Sequence, residues 1–353
     1  MDFKEVLSKE RSGIEKEIES YMDMEISASL DDEYTRQILK SIKEFTLRGG
    51  KRVRSLLVTM GYRGLGGRDI ERARRASISL ELIQTMLLIH DDIIDESPER
   101  RGAPSFHKEM EDIHRELGYR GDPEKFGRNI AVIAGDLAES LGEKALVRSG
   151  FPPENLQKAL EIQADMIRDT GLGQILDIYS EALQDWSEDM VLKVQKYKTA
   201  RYTLEGPLHI GAALKGASTK QMDVLSRYAI PVGVAFQIID DILGFYGDPK
   251  RGGKEDLADI KEGKRTLLIV KARELVSDQE WSKIEGALGN DDLSVAEAEE
   301  IRSIIRGCGS EKYSRDAAVE LSKSGIHAIE DSDLDPDVIG FLKDLASYLL
   351  KRA

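Results

Sequence analysis

The stretch LIHDDIIDESPERRG, residues 88–102, runs apolar residues into three aspartates and then two adjacent arginines. Asp91 and Asp95 are spaced i, i+4, which stacks both carboxylates on one helix face, and Asp92 sits about 100° round the axis. Like charges so placed repel, and at a helix C-terminus they also stand on the unfavourable side of the macrodipole. The arrangement asks for a counter-ion. Carboxylate oxygens favour Mg2+ over zinc, and Mg2+ commonly takes one or two carboxylates and completes its shell with water and phosphate. An isolated DDxxD is also what a solvated acidic helix end looks like, so more is needed.

A second cluster supplies it. Asp240 and Asp241 close another apolar run, YAIPVGVAFQIIDDILGFYGD (228–248), with Gln237 one turn earlier. Two such helices facing each other would place carboxylates on both sides of one cavity. Cations follow each cluster: Arg100 and Arg101 after the first, and Lys254, Lys264 and Arg265 after the second. Lys51 and Arg54 lie i, i+3 in RGGKRVR, and Lys198 precedes Thr199 in KYKTAR. Any one of these alone reads as surface charge. Together, beside aspartates and glycines, they read as a clamp for a diphosphate.

The elements that must hold these groups are helices. Strand-like alternation is nearly absent, and only nine prolines interrupt 353 residues. SLELIQTMLLIHDDII (79–94) is apolar around its whole circumference, which marks a buried helix. Further long helices are expected over 129–147, 155–180 and 190–216, with loops at 61–69 and 244–264. The charged stretch 96–128 has room for one short helix. No linker rich in Pro, Gly or Ser and no fixed-period repeat divides the chain, so a single all-α domain over 1–353 is expected.

Composition narrows the function. A net charge of −14 disfavours nucleic acid as a partner. One cysteine, Cys308, can form neither an internal disulfide nor a zinc–thiolate cluster, which fits a reducing cytoplasm. MDFKEVLSKERSG has no apolar core, so no secretory leader is expected, and no apolar run approaches the roughly 20 residues of a membrane span.

RGGKRVR (48–54), HDDIIDESPERRGAPSFH (90–107), AGDLA (134–138), KTA (198–200), FQIIDD (236–241) and GDPKRGGKEDLADIKEGKRT (247–266) make a specific combination. On these motifs the chain resembles, over nearly its whole length, the trans-prenyl diphosphate synthases, the head-to-tail polyprenyl synthetases. The resemblance implies the isoprenoid synthase fold, one bundle of long antiparallel helices around a deep central cavity. It implies condensation of isopentenyl diphosphate with dimethylallyl, geranyl or farnesyl diphosphate by a homodimer, with two or three Mg2+ per site. Position by position, it makes Asp91 and Asp95, supported by Asp92, the ligands of two Mg2+. Asp240, assisted by Asp241, becomes the site of a third. Arg100, Lys198, Lys254 and Lys264 would meet the allylic diphosphate. Lys51, Arg54, Arg101 and Gln84 would hold isopentenyl diphosphate, and Thr199 and Gln237 would face the developing carbocation.

The chain departs from the family pattern in places. Gly244 stands where the second motif usually ends in aspartate, so the i+4 partner of Asp240 is missing and a weaker third-metal grip is expected. Ser55 replaces a common proline, Leu257 a frequent glycine, and the insertion HKEMEDIHRELGYRGDPEKFGR (107–128) has no assigned role. His107 is expected to be a structural loop residue and His90 a packing residue.

Product length depends on the residues below Asp91: Leu87, Met86 and, deeper, Ile83. Met86 lies about 7.5 Å down the axis, and it is smaller and more flexible than the aromatic pair that tends to stop growth at fifteen carbons in this family. Geranylgeranyl diphosphate is therefore expected, with farnesyl or products of twenty-five carbons and more as alternatives. A terpene synthase would not need Lys51, Arg54 and Arg101 together, and a non-catalytic subunit would not keep both motifs.

Overall fold

The helical patterning is realised throughout a computed structural model of the chain, which describes residues 3–183, 187–247, 258–290 and 292–351. In chain order the elements are α1 (Phe3–Ser27), α2 (Glu33–Leu47), α3 (Val53–Gly64), α4 (Ile70–Ile94), a two-stranded hairpin β1 (Glu99–Arg100) and β2 (Ala103–Pro104), α5 (Phe106–Glu116) and α6 (Pro123–Val147). Then come α7 (Pro153–Leu183), α8 (Glu188–Val194), a π-helix η1 (Gln195–Glu205), α9 (Gly206–Leu214) and α10 (Thr219–Tyr246). The last are α11 (Ala258–Lys261), α12 (Leu267–Leu275), α13 (Asp278–Ala287), α14 (Val295–Gly307), α15 (Ser310–Glu330) and α16 (Pro336–Leu350). The expected all-α fold is what is found.

Local chemistry sets many boundaries. Asp32, Asp69 and Asp122 accept backbone N–H groups at the starts of α2, α4 and α6, and Pro123 occupies the first turn of α6. Ser218, Ser277 and Ser294 open α10, α13 and α14 with reciprocal capping boxes closed by Gln221, Glu280 and Glu297.

The chain forms two compact units. The first holds the described residues up to Leu160 together with Ile210–Gly216; the second holds Glu161–His209 and those from Ala217 onward. In the first unit α4 is the central element and packs on α3 and α6. Leu80, Leu82, Ile83 and Ile89 have no exposed surface, as the all-round apolar pattern requires. Two glycines of α6 make the contact possible. A Cβ on Gly142 would lie 2.9 Å from the Ser79 carbonyl, and one on Gly135 would lie 2.2 Å from His90 Nε2.

In the second unit α10 is central and packs on η1 and α15. The fully buried Tyr228 donates its hydroxyl to the Leu342 carbonyl at 2.7 Å, and Ile238, Ile242 and Phe245 enter a core shared with α12, α13 and α14. α10 is also the one helix among the described residues long and apolar enough to cross a membrane. No such run was expected from the sequence, yet the helix bears Asp240 and Asp241 and more than half of its most apolar window is buried within the protein.

The segment 107–128 is ordered by its own side chains. α5 buries Phe106 and Met110, and His114, Tyr119 and Phe126 stack with ring centroids 5.1–5.9 Å apart. Glu111 is buried between Lys108, 2.9 Å away, and Arg115. Burial alone would raise its carboxyl, but the bonds from Lys108 and Arg115 hold it below the ordinary glutamate value of 4.5. A depressed folded-state pKa contributes stability above the ordinary value, and that contribution is lost as pH falls through the folded pKa. Glu111→Gln is therefore expected to lower stability at pH 7 by about 1–3 kcal/mol, with the gap to wild type closing below pH ~4. Thermal midpoints of both proteins across pH check this, and a pH-independent gap would contradict it.

Candidate active site

The acidic end of α4 is organised by one arginine. Asp92 is completely buried, and Arg100 donates through Nε to its Oδ1 at 2.7 Å and reaches Asp91 Oδ2 at 3.5 Å. Burial pushes the Asp92 carboxyl above the usual aspartate range even against that guanidinium. Burial would lower Arg100, but Asp92, Asp91 and Asp95 hold it above its ordinary value. Asp91 is half-buried, and Asp95, which caps the helix with its N–H on the Asp91 carbonyl, is exposed. The three aspartates thus differ: Asp92 faces inward on Arg100, while Asp91 and Asp95 lie toward the surface.

Arg100 comes from the hairpin, whose two connecting residues, Arg101 and Gly102, both have positive φ (58° and 76°). Two-residue hairpins favour such turns, although the conformation is unfavourable for arginine. Arg101 is held there by donating to the Arg48 carbonyl at 2.6 Å. Its side chain lies over Gly49 and Gly50, where a Cβ would come 3.4 Å from Cδ at the first and 3.4 Å from the guanidinium at the second. Burial first, then the guanidinium of Arg52 and those of Arg100 and Arg54, push Arg101 below its ordinary pKa, against the opposing pull of Glu81. Cations crowded in this way form a place for an anion. Lys51 is exposed in the same loop, Arg54 is half-buried on the first turn of α3, and Gln84 lies half-buried on α4 two turns before Asp91.

Arg52, between Lys51 and Arg54, has a different role that sequence reasoning missed. It is buried, donates to the Thr46 and Leu47 carbonyls at 2.8 and 3.1 Å, and pairs with buried Glu81 at 2.9 Å. Ser55, the departure from proline, places its hydroxyl 2.9 Å from both Glu81 Oε1 and the Ser77 carbonyl. His90 behaves as the expected packing residue, with Nε2–H donating to the Val132 carbonyl at 3.1 Å. His107 is buried beside the Ser105 hydroxyl, 3.2 Å away.

In the second unit η1 carries Lys198 and Thr199. Single π segments inside helices recur at functional sites, and this one shifts the register so that both side chains reach neighbouring helices. Lys198 Nζ donates to Asp177 Oδ2 at 2.6 Å, and Gly173 makes room, since a Cβ there would lie 2.4 Å from the Lys198 nitrogen. The Thr199 hydroxyl donates to Gln237 Oε1 at 2.9 Å. Gln237 Nε2 donates to Asp241 Oδ1 at 2.7 Å, and Gln195 Nε2 to Asp241 Oδ2 at 2.9 Å. Thr199, Gln237 and Asp241 are thus brought together. Asp177 and Gln195 were not singled out from the sequence, although Gln195 stands four residues before Thr199 as Gln237 stands four before Asp241. Asp240 and Gly244 are half-buried on α10. Lys264 pairs with Glu262 at 2.5 Å, and Lys254 lies outside the described residues.

Among the described residues no three His, Cys, Asp or Glu side chains form a ready-made metal site. The residues nevertheless fit Mg2+ held by few protein ligands. Asp91 and Asp95 offer carboxylate oxygens at i, i+4, and Asp92 Oδ2 is a buried acceptor without a hydrogen-bond partner among the described residues.

The polyprenyl synthetase family model matches residues 35–305. The geranylgeranyl diphosphate synthase of Sulfolobus acidocaldarius is 34% identical over 311 residues, covering 86% of this chain and 87% of the relative. The geranylfarnesyl diphosphate synthase of Natronomonas pharaonis is 31% identical over 278 residues, covering 79% and 74%. The crystal structure of a geranylgeranyl pyrophosphate synthase from Corynebacterium glutamicum, complexed with isoprenyl diphosphate and magnesium, superposes with a TM-score of 0.92 at 33% identity and covers 100% of both chains.

Beneath the cation cluster, Glu81→Gln is expected to destabilise the protein by about 2–4 kcal/mol, because it removes the buried carboxylate 2.9 Å from the Arg52 guanidinium and leaves it only half-buried Glu15, 3.5 Å from Nε. Arg52→Gln in that background should recover part of the loss. Denaturant unfolding of the single and double variants measures this, and simply additive losses would contradict the pairing.

Proposed function

We propose a reaction for this chain from one premise: it belongs to the polyprenyl synthetase family and is a trans-prenyl diphosphate synthase, a prenyltransferase. In this reading an allylic group (dimethylallyl, geranyl or farnesyl) passes from its diphosphate to the double bond of isopentenyl diphosphate, and the final product is geranylgeranyl diphosphate. The observation that carries it is the crowding of Arg100 and Arg101 against Arg52, Arg54 and the Gly49–Gly50 turn beside the acidic end of α4. A cyclase that adds no unit has no need of that second anion site.

The residues divide the work by charge. Lys51, Arg54 and Arg101, with Gln84, hold the diphosphate of isopentenyl diphosphate, while Arg100, Lys198, Lys254 and Lys264 hold that of the allylic substrate. Two or three Mg2+ bound at Asp91 and Asp95, with Asp92 behind them, and at Asp240, assisted by Asp241, would neutralise charge growing on the leaving diphosphate. The allylic C–O bond breaks with both electrons leaving on diphosphate. The isopentenyl double bond then gives its electron pair to that carbon to form the new C–C bond, which leaves a tertiary cation; released diphosphate takes a proton from the adjacent carbon, and the electrons of that C–H bond form the new double bond. Thr199 and Gln237 present oxygen lone pairs toward the developing cation. Apolar surroundings exclude water, which would otherwise convert the cation to an alcohol.

Met86, Leu87 and Ile83 set the length of the product. Met86 and Ile83 are buried and Leu87 is half-buried, so Met86 stands between the accessible face and the packed core of α4. The geranylfarnesyl relative favours, as a second reading, a longer product. A homodimer is also part of this proposal. On α6, Val132, Ile133, Leu137 and Val147 are exposed, an apolar stripe suited to a second copy. We place the chain as one domain in the cytoplasm, where a lone cysteine stays reduced.

Incubation with Mg2+, labelled isopentenyl diphosphate and each allylic starter should give a twenty-carbon alcohol after dephosphorylation, and chelation of the metal should abolish it. A cyclic hydrocarbon made without consuming isopentenyl diphosphate would overturn the reading. Met86→Tyr is expected to shift the chromatogram toward shorter products, and an unchanged profile would remove Met86 from this role.

A further inference from the structure

Two pairs of residues, each four apart, meet across η1 and α10. Gln195 joins Asp241 and Thr199 joins Gln237, while Gln237 and Asp241 close the side between them. The order of the pairs shows that the two elements run antiparallel, and they touch closely, since a Cβ on Gly233 would fall 2.6 Å from Ala200 Cα.

The polarity of this ladder follows from its carboxylate. An ionised Asp241 can only accept, so both carboxamides must turn their nitrogens toward it. That choice leaves Gln237 Oε1 pointing at the Thr199 hydroxyl, which donates to it at 2.9 Å. Gln195 is 4% exposed, and its own Oε1 is buried with no hydrogen-bond partner among the described residues. The donor half of this amide is therefore the half in use. A leucine of similar size would remove the orphaned acceptor, and half-buried Asp241 could take water in place of the lost N–H.

We propose that Gln195 is a positioning residue: by holding Asp241 it fixes the amide orientation of Gln237, and through it the lone pairs that Gln237 and Thr199 present to the reacting carbon. This rests on the reading of Thr199 and Gln237 given above. Gln195 itself touches no substrate in this scheme. Its loss loosens the geometry at the cation without removing a binding charge.

The test compares wild type with Gln195→Leu, Asp241→Asn and the double variant, all as full-length protein. Gln195→Leu is expected to lower kcat roughly 10-fold, in the range of other supporting contacts at active sites. KM for isopentenyl diphosphate should change by less than about 2-fold and the melting temperature should not fall, because the charged clamp and the packing are intact. The fraction of allylic substrate released as alcohol rather than elongated should rise. The double variant should be no worse than Asp241→Asn alone, since the two act in series. In metal-free protein labelled with 15N-glutamine, the Gln237 side-chain amide signals, assigned by their loss in Gln237→Leu, should move in Gln195→Leu.

Additive losses, an unchanged alcohol fraction, or unmoved Gln237 signals would overturn the positioning role. A lower melting temperature with unchanged partitioning would make Gln195 merely structural, which also overturns it. The signals need no substrate, so a wild type that fails to elongate while its Gln237 signals shift as expected would overturn the reaction and the proposed catalytic role, and leave only the contact standing.

Discussion

The first unit's site depends on one ion pair, the buried Asp92 with the half-buried Arg100. An aspartate with no exposed surface at the end of an apolar helix is unfavourable unless a cation meets it, and the partner here is delivered by a two-residue hairpin. Because Arg100 is fixed, the next residue, Arg101, falls against the Gly49–Gly50 turn, and the two basic motifs become one cluster. The pair therefore does more than neutralise a charge. It sets where the remaining cations stand relative to Asp91 and Asp95.

Strain collects in the same place. Arg52, Glu96 and Arg101 are the three non-glycine residues with positive φ among the described residues, and all lie in the loops that carry this cluster. Each conformation costs about 1–2 kcal/mol and persists only where neighbours enforce it. For Arg52 the enforcing partners are Glu81 and the carbonyls of Thr46 and Leu47; for Arg101 it is the Arg48 carbonyl. The second unit reaches its own precision differently. There a π-helix, glycines at 173 and 233 and a chain of amide and carboxylate bonds place Lys198 and Thr199.

What was legible in the sequence follows periodicity and charge. The long helices and the burial of Leu80, Leu82 and Ile83 could be read because a helix apolar on every side has nowhere else to go. The aspartate motifs were visible by spacing alone. The division of labour within DDxxD was not, since i, i+4 spacing cannot say which carboxylate a distant arginine will claim. Arg52 looked like its neighbours Lys51 and Arg54, and only burial against Glu81 separates it from them. The π register of η1 was equally hidden, because its residues carry no distinct composition. Gly135 and Gly142 read as ordinary helix residues until the close approach of His90 and the Ser79 carbonyl explains them.

The central claim is that Asp91 and Asp95 hold divalent metal together with a diphosphate, against the backing of Asp92 and Arg100. Anomalous diffraction from crystals grown with Mn2+ and a non-hydrolysable allylic diphosphate analogue tests it most directly. The expected result is metal peaks about 2.0–2.3 Å from carboxylate oxygens of Asp91 and Asp95, sharing oxygens with the bound diphosphate. Metal and diphosphate bound away from both aspartates would contradict the account.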